Sequence, residues 1–425
     1  MRIAFTTLGC KINQYETDVL RQDFEAQGGT IVPFDAEADV YIINTCSVTA
    51  KSDYQCRQTI RSTVQRGQGA KVVITGCYAS TRPDDIKKMP GVDFVFDNRD
   101  KATISEQIMS SFNFPIHDKS LIKNNTNTQS VHTRTRGYLK VQDGCNNSCS
   151  YCIVPLARGG SRSVYPEKVI KEFDSLVQDG YPEIVLTGIH IGSYGIDLPE
   201  QVNLTRLVTK LIAMRGDSRI RLSSIEPMEI TDEMISMLGS GLCRHLHIPL
   251  QSGDDTILKS MNRDYTSGYY LELLERIANQ VPGIALGADI IVGYPGEGDT
   301  EFNNTLELVK KTPLTHLHVF SYSPRPGTAA VNMGNQVPDH IKKTRSEELR
   351  NLGMKKNLSF RENHVGIALK VVIEDKAEAQ TGLLSGLTDN YIRVKVWGAK
   401  SKHIGKNINV IIKDVKIEGN FAEIL

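Results

Sequence analysis

Gly144-Cys145-Asn146-Asn147-Ser148-Cys149-Ser150-Tyr151-Cys152 organises the reading of the whole chain. Its three cysteines are spaced C-x3-C-x2-C. Three thiolates at that pitch can hold three corners of an iron–sulfur cluster and leave the fourth iron without a protein ligand, where clusters ordinarily take four cysteines. A second molecule with donor groups of its own then belongs at the open iron. Tetrahedral zinc also accepts short cysteine spacings, but it needs a fourth Cys or His close by. The nearest histidine downstream is His190.

Outward from this loop, residues from about Arg134 to Pro326 repeat strand and helix six times. Strands are expected near 137–141, 183–187, 220–224, 245–249, 287–292 and 316–320. Six βα units suit an incomplete barrel, open on one side to a large substrate, rather than a closed barrel of eight. Polar residues follow the strand ends, where such barrels carry their ligands. They lie in Thr187-Gly188-Ile189-His190, Ser223-Ser224-Ile225-Glu226, His247-Ile248-Pro249-Leu250-Gln251 and Asp289-Ile290-Ile291-Val292-Gly293. Arg158 and Arg162 follow the cysteine loop, placed to meet substrate or a cofactor carboxylate. Arg263, in Met261-Asn262-Arg263, could pair bidentately with a carboxylate.

Upstream, the first hundred residues alternate strands (2–7, 40–44, 71–75, 94–96) with helices (14–27, 49–65), and Gly28-Gly29 makes a stop. That alternation implies a parallel sheet, with ligands beyond the carboxyl ends of its strands. Cys10, Cys46 and Cys77 each sit just past such an end. Three cysteines scattered in sequence would therefore converge on one edge as a second three-cysteine site. Cys56 and Cys243 do not share this pattern and read as structural.

The expected domain map is 1–112 for the first α/β unit, a polar linker at 113–133, the barrel at 134–336, a charged connecting helix at 337–362 and a small antiparallel β-barrel at 363–425. The last has strands near 368–373, 391–396, 409–415 and 421–424, with Leu384-Ser385-Gly386 as a turn. The overall class is α/β. Net charge is only +1, but residues 340–425 hold 16 basic against 10 acidic side chains, and the remainder 34 against 39. A basic C-terminal fifth on a slightly acidic body suits nucleic acid, with Arg393, Lys395 and Lys400 as candidate phosphate contacts. No apolar run approaches the ~18 residues of a membrane span. The opening residues read as a strand rather than a secretory signal, and eight cysteines are too sparse for a disulfide framework. These features predict a cytoplasmic protein with no membrane partner.

The cysteine loop, with its aromatic before the last cysteine, resembles the S-adenosylmethionine (SAM) radical enzymes. The order of domains resembles one family among them over nearly all of the chain, the methylthiotransferases. The resemblance implies two 4Fe-4S clusters, one on Cys145, Cys149 and Cys152 with SAM at the open iron, the other on Cys10, Cys46 and Cys77. It implies SAM contacts from Thr187, Gly188, Glu226, Gln251, Arg263, Asp289, Ile291 and Gly293, and a terminal TRAM-like barrel that helps hold RNA. Arg158, Arg162, Arg393, Lys395 and Lys400 are the expected substrate contacts.

Thr7-Leu8-Gly9-Cys10-Lys11-Ile12-Asn13-Gln14 and Asn44-Thr45-Cys46-Ser47-Val48-Thr49 look like the branch that methylthiolates C2 of threonylcarbamoyladenosine at position 37 of tRNA. The alternatives are the isopentenyladenosine branch, the branch acting on a ribosomal-protein aspartate (whose pattern Lys11 after Cys10 opposes) and, more distantly, a non-catalytic metal-binding RNA protein. The reaction implied also needs a sulfur source and an electron donor such as flavodoxin or ferredoxin. The target lies in the tRNA anticodon loop, a single-stranded setting that suits recognition of a splayed base. Gly160 departs from relatives, which often carry a bulkier or basic residue there.

Overall fold

The computed structural model describes residues 1–67, 69–112, 135–199, 202–378, 381–417 and 419–425. The expected linker at 113–133 lies outside the described residues. The chain divides into two compact units that do not follow sequence order. One contains Met1–Val131, Asp143–Gly160 and Ser323–Val331, so the Cys145–Cys152 loop groups with the first domain.

That unit is built on five parallel strands, β1 (Arg2–Thr7), β2 (Thr30–Val32), β3 (Val40–Thr45), β4 (Lys71–Gly76) and β5 (Phe94–Val95), in the order β2-β1-β3-β4-β5. β3 is central and buried at all six positions, as a strand covered on both faces should be. Helix α1 (Lys11–Ala26) packs Leu20 and Phe24 into a core with Ile3, Phe5 and Ile42. Helix α2 (Ala50–Arg66) starts at Thr49, whose hydroxyl accepts the Ser52 N–H and so satisfies one orphan donor of the first turn. Helix α3 (Cys77–Thr81) begins directly after β4. β2 has no counterpart among the expected strands. It is a three-residue edge with no buried position, too short and too exposed to show a period.

The second unit holds the six expected parallel strands, observed at Gly137–Lys140, Glu183–Thr187, Arg219–Leu222, His245–His247, Ala285–Val292 and His316–Ser321. They pair in sequence order as two runs of three. Helices such as Leu204–Met214 and Ser267–Gln280 contribute Leu207, Leu211, Leu273 and Ile277 to one continuous core with these strands. The helix Asp339–Glu362 leads to a closed five-stranded barrel made of Ala368–Ala377, Leu384–Thr388, Arg393–Trp397, Asn407–Lys416 and Gly419–Ile424.

Two expectations for this barrel are corrected. Leu384-Ser385-Gly386 is not a turn but the start of a strand. Gly386 lies so close to its neighbour that a Cβ would fall 2.3 Å from Val371 Cγ1. Nor is the barrel wholly antiparallel, because Arg393–Trp397 and Gly419–Ile424 run parallel.

A buried carboxylate joins the terminal barrel to the six-stranded one. Burial alone would raise the Glu183 carboxyl, but Arg221 and Arg219 hold it well below the ordinary carboxylate range. The same guanidinium groups donate to carbonyls of the terminal barrel, Arg219 to Leu387 (2.7 Å) and Arg221 to Thr388 (3.0 Å). Among the described residues no helix is long and apolar enough to cross a membrane.

Candidate functional site

Cys10, Cys46 and Cys77 each follow the carboxyl end of a strand, after β1, β3 and β4. Backbone shape sets their approach. Gly9 has φ +102°, and a Cβ there would lie 2.9 Å from Cys46 Sγ, so the Cys10 turn rests against Cys46. Gly76 has φ +98°, and its Cβ would sit 2.3 Å from the Thr45 carbonyl oxygen. Only glycine tolerates both demands. The Asn13 amide ties the turns together by donating to Leu8 O (2.8 Å) and Thr45 O (3.0 Å). Cys10 and Cys46 both lie within electrostatic reach of Cys77, and burial pushes the Cys46 thiol up to about 11.

Cys10, Cys46 and Cys77 so placed offer three soft sulfur donors at one edge of the sheet, a donor set that suits an iron–sulfur cluster as well as zinc.

Cys56 stands closer to this site than the sequence indicated. Its sulfur donates to Cys46 O (3.2 Å) and accepts the Cys46 N–H (3.4 Å), and burial pushes its thiol up to about 12. Arg325 was not singled out in the sequence at all. It is buried and donates to Ser47 O (3.1 Å) and Asp53 Oδ2 (2.9 Å), bracing the turn after Cys46.

The radical-type loop is pinned in the same unit. Gly144, at φ +70°, would place a Cβ 2.0 Å from Gly160 O, and the Cys145 N–H donates to Gly159 O (3.1 Å). Ala330 N–H donates to Ser150 O (2.8 Å). A side chain at Gly160 would press on Asn146 Oδ1 at 2.9 Å, so the small residue leaves the loop undisturbed.

Arg158 corrects a sequence expectation. It is 1% exposed and faces inward, donating to Glu16 (2.8 Å), Asn13 Oδ1 (2.6 Å) and Asp143 (3.0 Å). It is a brace for the loop rather than a substrate contact. Lys101 pairs with the same Glu16. Asn98 donates to Ala157 O at 2.8 Å and lies 3.7 Å from Cys77 Sγ, linking the two cysteine loops. Arg162, by contrast, is exposed.

In the second unit the expected strand-end residues do come to the carboxyl side of the barrel. Thr187 is buried and Gly188 packs on Gln142, whose side chain accepts the His190 N–H (2.8 Å). The Ser223 hydroxyl is buried without a hydrogen-bond partner among the described residues, an orphaned group that suits a polar ligand such as SAM at this strand end. Glu226 and Arg263 pair with each other. Gln251 is held at φ +62°, its N–H on Asp289 O and its carbonyl accepting from Ile291 N–H. Gly293, at φ +70°, donates to Glu297 Oε1 (2.7 Å) in a tight turn.

Asp289, an expected cofactor contact, is held between two histidines. Its Oδ1 accepts from His247 Nε2 (2.9 Å) and meets His318 Nδ1 (3.2 Å). Burial would raise this carboxyl, but the two imidazoles hold it well below the ordinary range. The histidines come from neighbouring strands, and period-2 alternation is the signal that could have found His318.

On the terminal barrel, Arg393 pairs with Glu374 (2.5 Å) and Lys395 with Glu378, while Lys400 is exposed. Trp397, the chain's one tryptophan, is 42% exposed and stacks on Phe421 at 5.4 Å. Composition alone gave no reason to single it out.

With this geometry in hand, residues 139–309 match the profile of the Radical SAM superfamily, and residues 2–97 that of Uncharacterized protein family UPF0004. A solved radical S-adenosylmethionine methyltransferase, TsrM from Kitasatospora setae, shares the fold with a TM-score of 0.57 at 14% identity, over 78% of this chain and 77% of that one. The protein is a radical-SAM enzyme. Threonylcarbamoyladenosine tRNA methylthiotransferase MtaB of Bacillus subtilis (strain 168) is 39% identical over all of this chain and 97% of its own length. MtaB of Aquifex aeolicus (strain VF5) is 37% identical, over 97% of this chain and 100% of its own length. The tRNA-2-methylthio-N(6)-dimethylallyladenosine synthase of Endomicrobium trichonymphae is 35% identical over the full length of both. The chain belongs to the radical-SAM tRNA methylthiotransferase family.

Proposed function

We propose that the protein methylthiolates C2 of N6-threonylcarbamoyladenosine at position 37 of tRNA. The observation that carries this reading is the gathering of two cysteine trios into one compact unit, in a chain whose relatives at 39% and 37% identity bear the threonylcarbamoyladenosine name. Cys145, Cys149 and Cys152 would hold a 4Fe-4S cluster that binds SAM, and Cys10, Cys46 and Cys77 a second. Once bound, these groups supply a carbon radical able to take the C2 hydrogen, and the sulfur that replaces it.

The chain's own residues bind, orient and exclude side reactions. Thr187, Gly188, Glu226, Gln251, Arg263, Ile291 and Gly293 would line the SAM site, with Glu226 steadying the Arg263 guanidinium for a carboxylate. Residues 1–112, 134–336 and 363–425 would act as auxiliary-cluster, radical-SAM and RNA-holding domains, joined by 113–133 and 337–362. The terminal barrel would position the anticodon loop through Lys400 and exposed Trp397. A flavodoxin- or ferredoxin-like donor and a sulfur source would complete the reaction in the cytoplasm.

The Endomicrobium relative supports a second reading, with dimethylallyladenosine as the target. The test is anaerobic reconstitution with SAM, reductant, a sulfur source and tRNA bearing one or the other nucleoside, followed by mass analysis of the digest. A methylthio gain on threonylcarbamoyladenosine, with 5′-deoxyadenosine, supports the proposal. A gain only on the dimethylallyl nucleoside overturns it.

A further inference from the structure

We infer that His318, fixed by Asp289 and His247, is the specificity element that reads the free carboxylate of the threonylcarbamoyl group. This inference rests on the proposed substrate. Threonylcarbamoyl and dimethylallyl substituents share their attachment at N6 but differ in chemistry. The first ends in a threonine with a carboxylate and a hydroxyl, the second in branched hydrocarbon. A protein that takes the first needs a hydrogen-bond donor, preferably cationic, facing the substrate, where a protein that takes the second needs an apolar wall.

The strands Ala285–Val292 and His316–Ser321 show where such a donor lies. In the first, Ala288, Ile290 and Val292 are buried while Asp289 and Ile291 are only half-buried. In the second, Val319 joins the core, while His318 and Phe320 are exposed. Alternation therefore turns Asp289, Ile291, His318 and Phe320 away from the packed core, onto the opposite face of the strands. Asp289 and His318 are directly paired in register, and His247 lies opposite Gly287 on the other side. Glycine at 287 is what admits the His247 ring, since a Cβ would fall 2.7 Å from its Nδ1.

One carboxylate oxygen thus holds two imidazoles, 2.9 Å from His247 Nε2 and 3.2 Å from His318 Nδ1, and the rings stack at 5.0 Å. These three ligand atoms lie within 4.8 Å of one another, a spacing that would also admit a divalent ion. Two imidazoles already share the Asp289 Oδ1 without one. With Nδ1 spent on Asp289, the His318 side chain is still 58% exposed, and among the described residues its Nε2 has no partner. With the Nδ1–H on Asp289, Nε2 is the outward nitrogen, and it donates to a carboxylate when the ring is the imidazolium that Asp289 favours. Phe320, two positions along the same face and 43% exposed, offers an aromatic surface on which a base can stack. A stacking ring beside an outward imidazole matches an adenine carrying a polar acid, and a dimethylallyl group would leave that imidazole without a partner.

The test uses the holoenzyme under anaerobic conditions and three anticodon stem–loop RNAs. They carry at position 37 threonylcarbamoyladenosine, its methyl ester, or dimethylallyladenosine. For the wild type, the acid should bind on the order of tenfold more tightly than the ester, the scale of a hydrogen bond to a charged group. In His318→Ala the ratio of acid to ester affinity should fall to about one, and His318→Gln, which keeps a donor without the charge, should give an intermediate ratio. A ratio that survives in both variants, or a wild type indifferent to esterification, overturns the inference. The two failures are separable. Wild type that methylthiolates only dimethylallyl RNA defeats the proposed substrate, whereas turnover of threonylcarbamoyl RNA with an unchanged ratio in the variants defeats His318 alone.

Discussion

Arg158 donates to both carboxylate oxygens of Glu16, at 2.8 and 3.2 Å, from a short helix that begins two residues after Cys152. Glu16 itself lies on α1, whose first turn follows Cys10. Two loops 142 residues apart in sequence are thereby fixed to one another through a pair with side chains 1% and 7% exposed. Removing one partner leaves the other charge buried and only partly compensated, by Lys101 for Glu16 or by Asp143 for Arg158, a loss of up to about 3–5 kcal/mol. Arg158→Gln and Glu16→Gln should each lower the anaerobic unfolding midpoint sharply. Arg158→Lys should rescue little, because an ammonium cannot reproduce a fork that reaches Glu16, Asn13 and Asp143 together. Full stability in the lysine variant would contradict the role given to the guanidinium.

The chain announced its cysteines better than their supports. C-x3-C-x2-C and the three strand-end cysteines needed only local spacing, and the strands themselves followed from apolar runs. Arg158 defeated that approach. Beside a cofactor loop an arginine reads as a ligand contact, and only the fold shows Glu16 arriving from α1 to claim it. The Asp289 pairing hid for the same reason, since His247 and His318 come from strands on either side of it. The parallel pair in the terminal barrel was equally invisible, because register between Lys395 and Phe421 is a property of closure.

Gly76 gives a sharper test of the Cys77 position. With φ +98° and backbone atoms of Thr45 within 2.5 Å of any added Cβ, alanine there must displace the turn that begins α3. Gly76→Ala should leave reconstituted protein with the iron content of one cluster while 5′-deoxyadenosine formation from SAM persists. Iron measured beside SAM cleavage distinguishes this from general misfolding. An unchanged iron content would show that the turn does not set the ligand.

Glu183 is buried among Arg136, Arg219 and Arg221, and the last two hold the terminal barrel through its carbonyls. Glu183→Gln should cost about 3–5 kcal/mol and loosen that barrel first. Limited proteolysis should then cut near 363–367, ahead of the first barrel strand, in the variant but not in the wild type. Uniform digestion without a discrete barrel fragment would argue against this linkage.

His316 makes stability depend on acid. Burial, with His318 and His247 nearby, pushes its imidazole from 6.5 down to about 4. Above pH 6.5 the ring is neutral in both folded and unfolded chains, so it contributes nothing to the difference. Between 6.5 and about 4 the unfolded chain takes up the proton and the folded one does not, so stability falls as pH falls. The full difference is about 3 kcal/mol. His316→Gln should therefore lose less stability than the wild type over that window, read as the gap between their unfolding midpoints at pH 7 and pH 5. Parallel curves would remove His316 from the acid response.

Lys400 is the basic residue on which RNA affinity should depend most among the three expected on the terminal barrel. Arg393 and Lys395 already face Glu374 and Glu378, so a phosphate reaching either must compete with a carboxylate in place. Lys400 is exposed at the start of the short turn Ser401–His403. A lysine that neutralises one phosphate releases condensed counterion and contributes about 0.7–0.9 to the slope of log affinity against log salt. Lys400→Ala should flatten that slope by roughly one unit and weaken tRNA binding regardless of the base at position 37. Arg393→Ala should move it less, since the Glu374 carboxylate it leaves behind repels phosphate at any salt and offsets part of the change. Measuring tRNA affinity from 50 to 200 mM salt decides it. Equal slopes for wild type and Lys400→Ala would place the phosphate path elsewhere on the barrel.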